Sequence, residues 1–476
     1  MKQTEGHQKT RNSIVPLFEP ESLAVVGSFK EERPGGYRVI KNLLAFGFQG
    51  KVYPVNPLYD TVFDRKVYPS IREVPQSVDL AVVITSAQVV PEIIEHCVEK
   101  KVKAAIIVSD GFAERDEQGA RLQQEVVRIA RSSGLRLLGP NTIGVVNPYV
   151  GLITSQYGVL YEKIHTGSIA LCAQTGLIGP STMPFEDMQY GISRICDFGN
   201  KCDIDEIDLL EYLGNDPKTK VIAMHLEDIR DGRSFMRKVK EVVSKKPVLI
   251  LKPGRTEESR KALASHTGSL AGEDRIYDSA FKQAGVIRVS TYKELFDLAK
   301  IFAYQPLPAG NRVAIITMTG GGGVMGVDVA VESGLVPAEL SPETIERLAE
   351  ISPWLASNPV DLGPAAVVVD NFFSHYEEIV ETVLKDRNVD CAAIVFSGVP
   401  RVLDYQIFAR LETKISKPVA FWIYGPKLSL AEEFARNLEN HGFPASPECE
   451  PAIKALGAAF KYSGIKSRFS QAEEKP

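Results

Sequence analysis

Short runs rich in Val, Ile and Ala alternate with amphipathic stretches of helical length along almost the whole chain. Apolar runs bounded by Gly, Asn and Ser are the pattern of parallel strands buried on both faces and separated by helices. The first series predicts strands at 23–26, 52–55, 80–85, 104–109 and 135–138, with helices over 89–100 and 118–131 between them. A loop-like stretch, 149–165, leads into a second series at 168–172, 192–197, 221–226, 248–251 and 286–289. The segment 303–311, with two prolines and a glycine, leads into a third at 313–317, 392–396 and 419–423. The residues from about 467 onward are polar and read as a disordered tail.

The second and third series share their punctuation. Each opens with an apolar strand running into a Gly/Thr turn, ending at Gly176 and Gly320, and each later carries Lys-Pro-Val, at Lys246 and Lys417. That order suggests two copies of one unit. The fold expected is therefore α/β: a Rossmann-like doubly wound domain over 14–148, then two flavodoxin-like parallel-sheet domains over 160–302 and 310–466. A length of 476 residues agrees with three units at roughly 150 residues each.

Composition narrows the function classes. The net charge is −5 and no stretch gathers Lys and Arg into a stripe, which speaks against nucleic acid as a partner. No apolar run approaches the roughly 20 residues of a membrane span, and residues 1–13 have no apolar core of a secretory signal. The six cysteines form no CxxC pair and none lies near a His at metal-ligand spacing. Reduced thiols in a cytoplasmic protein without a metal site are the expectation.

Candidate chemistry gathers at strand exits. In the first series these are Gly27-Ser28, followed by the pair Gly35-Gly36 opening a helix, then Asn56-Pro57, Thr85-Ser86, Ser109-Asp110-Gly111 and Gly139-Pro-Asn141. Ligands of open α/β sheets bind outside such carboxyl ends. The spacing is not GxGxxG, and Asn56-Pro57 stands where a dinucleotide site places its ribose-binding acid, so NAD is disfavoured.

The sharpest feature is Lys252-Pro-Gly-Arg255, a charged stretch, and then Ser265-His266-Thr267-Gly268-Ser-Leu-Ala-Gly272. His266 sits among small residues just before a helix expected to begin near Glu273, where free N–H groups would favour a phosphoryl group on the imidazole. Ala173-Gln174-Thr175-Gly176 reads as a second phosphate cradle of the same kind. Glu227, at the end of the strand 221–226, is placed to accept the second imidazole N–H. The other six histidines, His225 within a strand among them, read as structural.

Taken together these motifs resemble the α subunit of ADP-forming acetyl-CoA synthetase and, more distantly, succinyl-CoA synthetase α. The resemblance runs from Ser22 to about Tyr462. It is carried by Val52-Tyr-Pro-Val-Asn-Pro57, Gly139-Pro-Asn141, Gly199-Asn-Lys201, Leu209-Leu-Glu-Tyr-Leu213, Lys220-Val-Ile222, the stretch from Leu226 to Arg233, and the Ser265–Gly272 block. It implies an NDP-forming acyl-CoA synthetase subunit with His266 phosphorylated and Glu227 as its stabilising partner. Phosphate would be held by Gln174, Thr175, Gly176, Thr267 and Gly268. CoA would lie against Gly27, Ser28, Gly35, Asn56, Pro57, Thr85, Ser86, Ser109, Gly111 and Asn141.

No ATP-grasp domain or Walker A pattern is found in the chain. The resemblance thus implies a separate ATP-grasp β subunit that binds ADP or ATP with Mg2+, in a hetero-oligomer. Departures from the family pattern are Ala173 and Thr175 where Ser is usual, Thr85-Ser86 for Val-Pro, and a Gly320–Gly323 run lacking a proline. They leave the acid open, from acetate to a larger or aromatic one. The alternative is a CoA- or acyl-CoA-binding regulatory homologue, which would need neither His266 nor Glu227.

Overall fold

The computed structural model describes residues 13–267, 273–397, 406–414 and 416–473. The first sheet contains β1 (Ser22–Gly27), β2 (Lys51–Val55), β3 (Leu80–Ile84), β4 (Ala104–Ile107) and β5 (Arg136–Leu138), all parallel, in the order β2-β1-β3-β4-β5. β1 is buried throughout and β3 in all but its last residue, and apart from Ser22 both are apolar, as helices cover the sheet from each side. They also run unusually close. A Cβ on Gly27 would stand 2.6 Å from the Ile84 carbonyl oxygen, so only glycine fits there.

The second sheet adds β6 (Val145–Asn147), β7 (Leu152–Ile153), β8 (Thr166–Ala173), β9 (Ile192–Asp197), β10 (Val221–His225), β11 (Val248–Leu251) and β12 (Ile287–Val289). Its order is β12-β11-β10-β8-β9-β6-β7, parallel except for β6 and β7. The third contains β13 (Arg312–Thr317), β14 (Val336–Pro337), β15 (Val360–Asp361), β16 (Cys391–Ser397), β17 (Val419–Tyr424) and β18 (Ala445–Ser446), ordered β14-β13-β16-β17-β18 with β15 also on β13. Counted from its own first parallel strand and leaving β15 aside, each sheet has the order 2-1-3-4-5. This is the flavodoxin-like winding, with a crevice where the order reverses.

Two expectations are corrected. The stretch 149–165 is not wholly loop, since β7 lies in it and pairs with β6 on the edge of the second sheet. The polar tail is not irregular either. The last helix, Cys449–Glu473, continues past 467 because Phe469 still packs on the core, its ring against Gly285. The strands of these three sheets not foreseen, β6, β7, β14, β15 and β18, are two or three residues long, as are the two of a small separate hairpin, Thr61–Val62 and Arg65–Lys66. Such strands are too short to show a period.

The sheets are locked to one another. One apolar core runs from Leu23 and Val25 through the second sheet to Tyr462 of the last helix. Arg136 of β5 reaches Asp203 at 2.9 Å and Asp208 at 3.0 Å, tying the first sheet to the helix Glu206–Asn215 of the second. Gln305 ties the segment after the second sheet to the third, accepting from the Val419 N–H at 3.0 Å and donating to the Gly442 carbonyl at 2.6 Å.

Candidate active site

The carboxyl-end loops of the first two sheets line one cleft of about 790 Å³. From the first sheet come Thr85, Ser109 and Asn141; from the second come Gln174, Thr175, Gly176, Asp197 and Asn200. Ser109 is a brace: its hydroxyl accepts from the Thr85 N–H at 3.1 Å and its carbonyl from the Asn141 N–H at 2.9 Å. The two sides meet where Gly199, at φ 55°, lies against the turn after β5. A Cβ there would stand 2.1 Å from the Pro140 oxygen.

Asp197 closes the floor. Its carboxylate accepts from the Ile143 N–H at 2.8 Å and the Gly199 N–H at 3.1 Å. Full burial nevertheless pushes its pKa up to about 6, because two neutral donors do not replace water around a buried charge. Glu114 spans the sheets as well, accepting from the Gly111 and Phe112 N–H groups at 2.6 and 3.0 Å and from the Asn200 amide.

Gln174 organises the exit of β10. Its Oε1 accepts from the N–H groups of Glu227 at 2.7 Å and Asp228 at 3.1 Å, and its Nε2 donates to Asp228 Oδ1 at 2.7 Å. The amide is thereby committed to positioning Glu227, which is 5% exposed. Beneath it lies a buried ion cluster. Lys201 Nζ reaches Asp228 Oδ1 at 2.7 Å, Glu206 Oε2 at 3.0 Å and the Asp228 carbonyl at 2.9 Å. Burial works against the Asp228 charge, but Lys201 and Gln174 hold its pKa below the usual carboxylate value, whereas burial pushes Glu206 up.

On the next strand exit Lys252 is buried, with Nζ donating to the Pro253 carbonyl at 2.7 Å and lying 4.7 Å from the Tyr277 ring centre. Burial, and then the Arg288 charge, bring its pKa down to about 8. His225, two residues before Glu227, bonds to the Tyr292 hydroxyl. Burial, and then the Lys252 charge, bring its pKa from 6.5 down to about 4.

That last shift sets a sign. A histidine kept neutral in the fold contributes stability at neutral pH that is lost as the unfolded chain takes up its proton. The window runs from pH 6.5 down to about 4, and the amount is about 3 kcal/mol. His225→Phe should therefore gain about that much on the native chain across the window, read as the difference between their urea unfolding curves. Parallel curves would remove this reading.

The predicted phosphate positions need two corrections of local structure. Thr175-Gly176 does not open an α-helix. It begins a single 3-10 turn, Gly176–Ile178, capped by the Thr175 hydroxyl and stopped by Gly179-Pro180, since proline has no N–H to continue it. The helix expected near Glu273 is present, but the backbone of His266 and Thr267 is itself helical, within Glu257–Thr267, rather than a loop leading into it. The side chains of 264–267 and all of 268–272, Gly268 included, lie outside the described residues. The next helix, Asp274–Ala284, starts from Glu273.

Of the predicted CoA positions, Gly27, Ser28, Gly35, Asn56 and Pro57 gather at the exits of β1 and β2, beside the cleft rather than in its lining. Asn56 binds that corner together, donating to the Gly27 carbonyl at 2.8 Å and accepting from the Leu58 N–H at 2.8 Å. Ser86 and Gly111 also lie outside the lining. Sequence reasoning gave no role to Asp197, Lys201, Asp228, Glu114 and Tyr292, although Lys201 and Asp228 lie in stretches that carry the resemblance. Among the described residues no group of three His, Cys, Asp or Glu side chains is arranged to hold a metal ion, and no helix is long and apolar enough to cross a membrane.

Known proteins are similar to this chain in sequence and fold. Residues 21–148 match a CoA binding domain, and residues 166–302 match a succinyl-CoA ligase like flavodoxin domain. The α subunit of acetate–CoA ligase [ADP-forming] I from Pyrococcus furiosus is 39% identical over 472 residues, covering 96% of this chain and 100% of the relative. Acetate–CoA ligase [ADP-forming] II from Archaeoglobus fulgidus is 37% identical over 470 residues, and there the chain spans 69% of a longer protein. A solved structure of the dinucleotide forming acetyl-coenzyme A synthetase 1 of Ca. Korarchaeum cryptofilum, in complex with phosphate and ADP, superposes with a TM-score of 0.88 at 32% identity, over 98% of this chain and 100% of that one. With fold and sequence in agreement over nearly its whole length, the chain belongs to the family of ADP-forming acetate–CoA ligases.

Proposed function

We propose that the chain is the α subunit of an ADP-forming acyl-CoA synthetase, an acid–thiol ligase, and that it carries the phosphoryl group on His266. The observation that carries this reading is the shared cleft. The strand exits of a CoA-binding sheet and the Gln174–Gly176 loop of the second sheet open onto one space, where a thioester and phosphate can meet.

In one direction a phosphate oxygen attacks the thioester carbonyl, the C–S bond breaks, and CoA leaves as thiolate. The acyl phosphate so formed is attacked at phosphorus by the His266 imidazole, releasing the carboxylate. ADP then takes the phosphoryl group as the N–P bond breaks; the reverse sequence makes acyl-CoA. Glu227, held by Gln174, is assigned to orient and stabilise the imidazole. Such transfers rest mainly on positioning and charge stabilisation.

The acid is a small carboxylic acid. ADP or ATP and its Mg2+ are assigned to an ATP-grasp β subunit in a hetero-oligomer. A cytoplasmic setting fits six free thiols, five of them buried, and burial raises the Cys97 thiol to about 12. The domain limits proposed are 14–148, 160–302 and 310–466, with the short strand β6 crossing to the second sheet and the last helix running on to Glu473.

The test is labelling from an acyl phosphate, over a panel from acetyl to aromatic acids. The native chain should acquire acid-labile, base-stable label, and His266→Ala none. Equal labelling of both would place the nucleophile elsewhere.

A further inference from the structure

The reaction scheme leaves a buried histidine beside Glu227 without a task. His225 ends β10, is 7% exposed, and lies two residues before Glu227. Its Nδ1 is bonded to the Tyr292 hydroxyl, while Nε2 is buried with no hydrogen-bond partner among the described residues. Leaving a buried polar atom unsatisfied costs about 1–3 kcal/mol, and native structures rarely retain one without a reason.

Its surroundings are those of the reaction edge. The Gln174 N–H donates to the His225 carbonyl at 3.2 Å, so the loop assigned to phosphate starts directly beside it. Tyr292 opens the helix Tyr292–Tyr304, which packs across β8, β10 and β11. Burial, and then the carboxylates of Glu227 and Asp197, keep the Tyr292 hydroxyl protonated. Tyr292 is thus within electrostatic reach of both acids, one from the cleft floor and one from the phosphohistidine site. The Lys252 charge, from the neighbouring strand exit, acts on the imidazole.

Proton placement follows from these contacts. The Tyr292 hydroxyl has His225 as its one hydrogen-bond partner among the described residues. If Nδ1 donated to it, the buried tyrosine proton would be left over. If the hydroxyl donates to Nδ1, the ring proton of the neutral imidazole must sit on Nε2. Nε2–H is then a donor with no lone pair available for attack on phosphorus.

We propose that His225 is a second, non-phosphorylated histidine of the site, whose Nε2–H donates a hydrogen bond to an oxygen of the phosphoryl group as it passes to or from His266, with Tyr292 holding the tautomer. This rests on the phosphohistidine reading above. No bond is made or broken at His225. It contributes a neutral donor aimed at developing charge, and its protonated Nε2 keeps the group from going to the wrong ring.

The experiment combines spectroscopy and labelling on the full chain. With 15N-histidine, the His225 resonances, assigned by their loss in His225→Phe and displacement in Tyr292→Phe, should show a protonated Nε2 at pH 7. Inorganic phosphate should shift that Nε2 signal. In acyl-phosphate labelling, His225→Phe should react about 100-fold more slowly than the native chain, with about a tenth or more of the native rate restored in His225→Gln, which offers an N–H again. Tyr292→Phe keeps the ring packing and should also slow labelling. A protonated Nδ1, an Nε2 signal indifferent to phosphate, or native-rate labelling of His225→Phe would overturn the proposal while leaving His266 in place. If the native chain takes no label at all, the phosphohistidine reading fails, and this inference with it.

Discussion

Glu227→Gln should slow phosphohistidine formation by about 100-fold or more while leaving CoA affinity unchanged. The substitution keeps shape and packing and removes only a charge. Glu227 is 5% exposed, and its N–H is fixed at 2.7 Å by Gln174 Oε1, so the carboxylate starts from a defined point at the end of β10. A carboxylate against an imidazole N–H orients the ring and stabilises the cation that forms as the other nitrogen attacks phosphorus. A carboxamide gives geometry without that charge. CoA affinity is the control because Glu227 is absent from the lining of the cleft. Native-rate labelling of Glu227→Gln would remove Glu227 from the mechanism. Equal loss of labelling and CoA binding would point to a structural role.

Lys201→Met should destabilise the chain by about 3–5 kcal/mol, because it leaves buried Glu206 without its cation and Asp228 with only the exposed Arg230, at 3.5 Å. The Lys201 side chain is 0% exposed and sits between Asp228 at 2.7 Å and Glu206 at 3.0 Å. The effect should reach the site as well. Asp228 holds Gln174 Nε2, and Gln174 holds Glu227, so a displaced Asp228 loosens the carboxylate that orients the imidazole. Urea unfolding gives the stability change, and labelling of the folded fraction gives the second effect. Lys201→Met combined with Asp228→Asn should recover part of both, since one orphaned charge is gone. A single variant with unchanged stability would mean that water reaches the cluster.

The long, doubly buried strands were readable because both faces are apolar, and β1, β3, β10 and β11 fall within two residues of the apolar runs that predicted them. The edge pieces β6, β7 and β14 were not, being too short for any period. At the site, Thr85, Ser109, Asn141 and Gln174 were found because small and amide residues at strand exits mark ligand edges. Gln174 was assigned to phosphate, yet its amide is spent on the turn at Glu227 and Asp228. Such a bond crosses 53 residues of sequence and leaves no local mark. Lys201 and Asp228 escaped for the same reason. Surface residues and buried ion partners look alike until the fold brings them together. The run around His266 suggested a free helix start, because small residues cap helices, but Ala264 to Thr267 continue a helix already begun at Glu257.

The most direct measurement gives the purified chain acyl-CoA and isotopically labelled phosphate, without nucleotide. Protein-bound label and free CoA thiol are followed together. Thiol and label should rise in equal amounts up to one per chain in the native protein, with label lost in His266→Ala and neither formed when acyl-CoA is omitted. Label that appears without thiol, or equally in His266→Ala, would contradict a phosphoryl group passing from phosphate through acyl phosphate to His266.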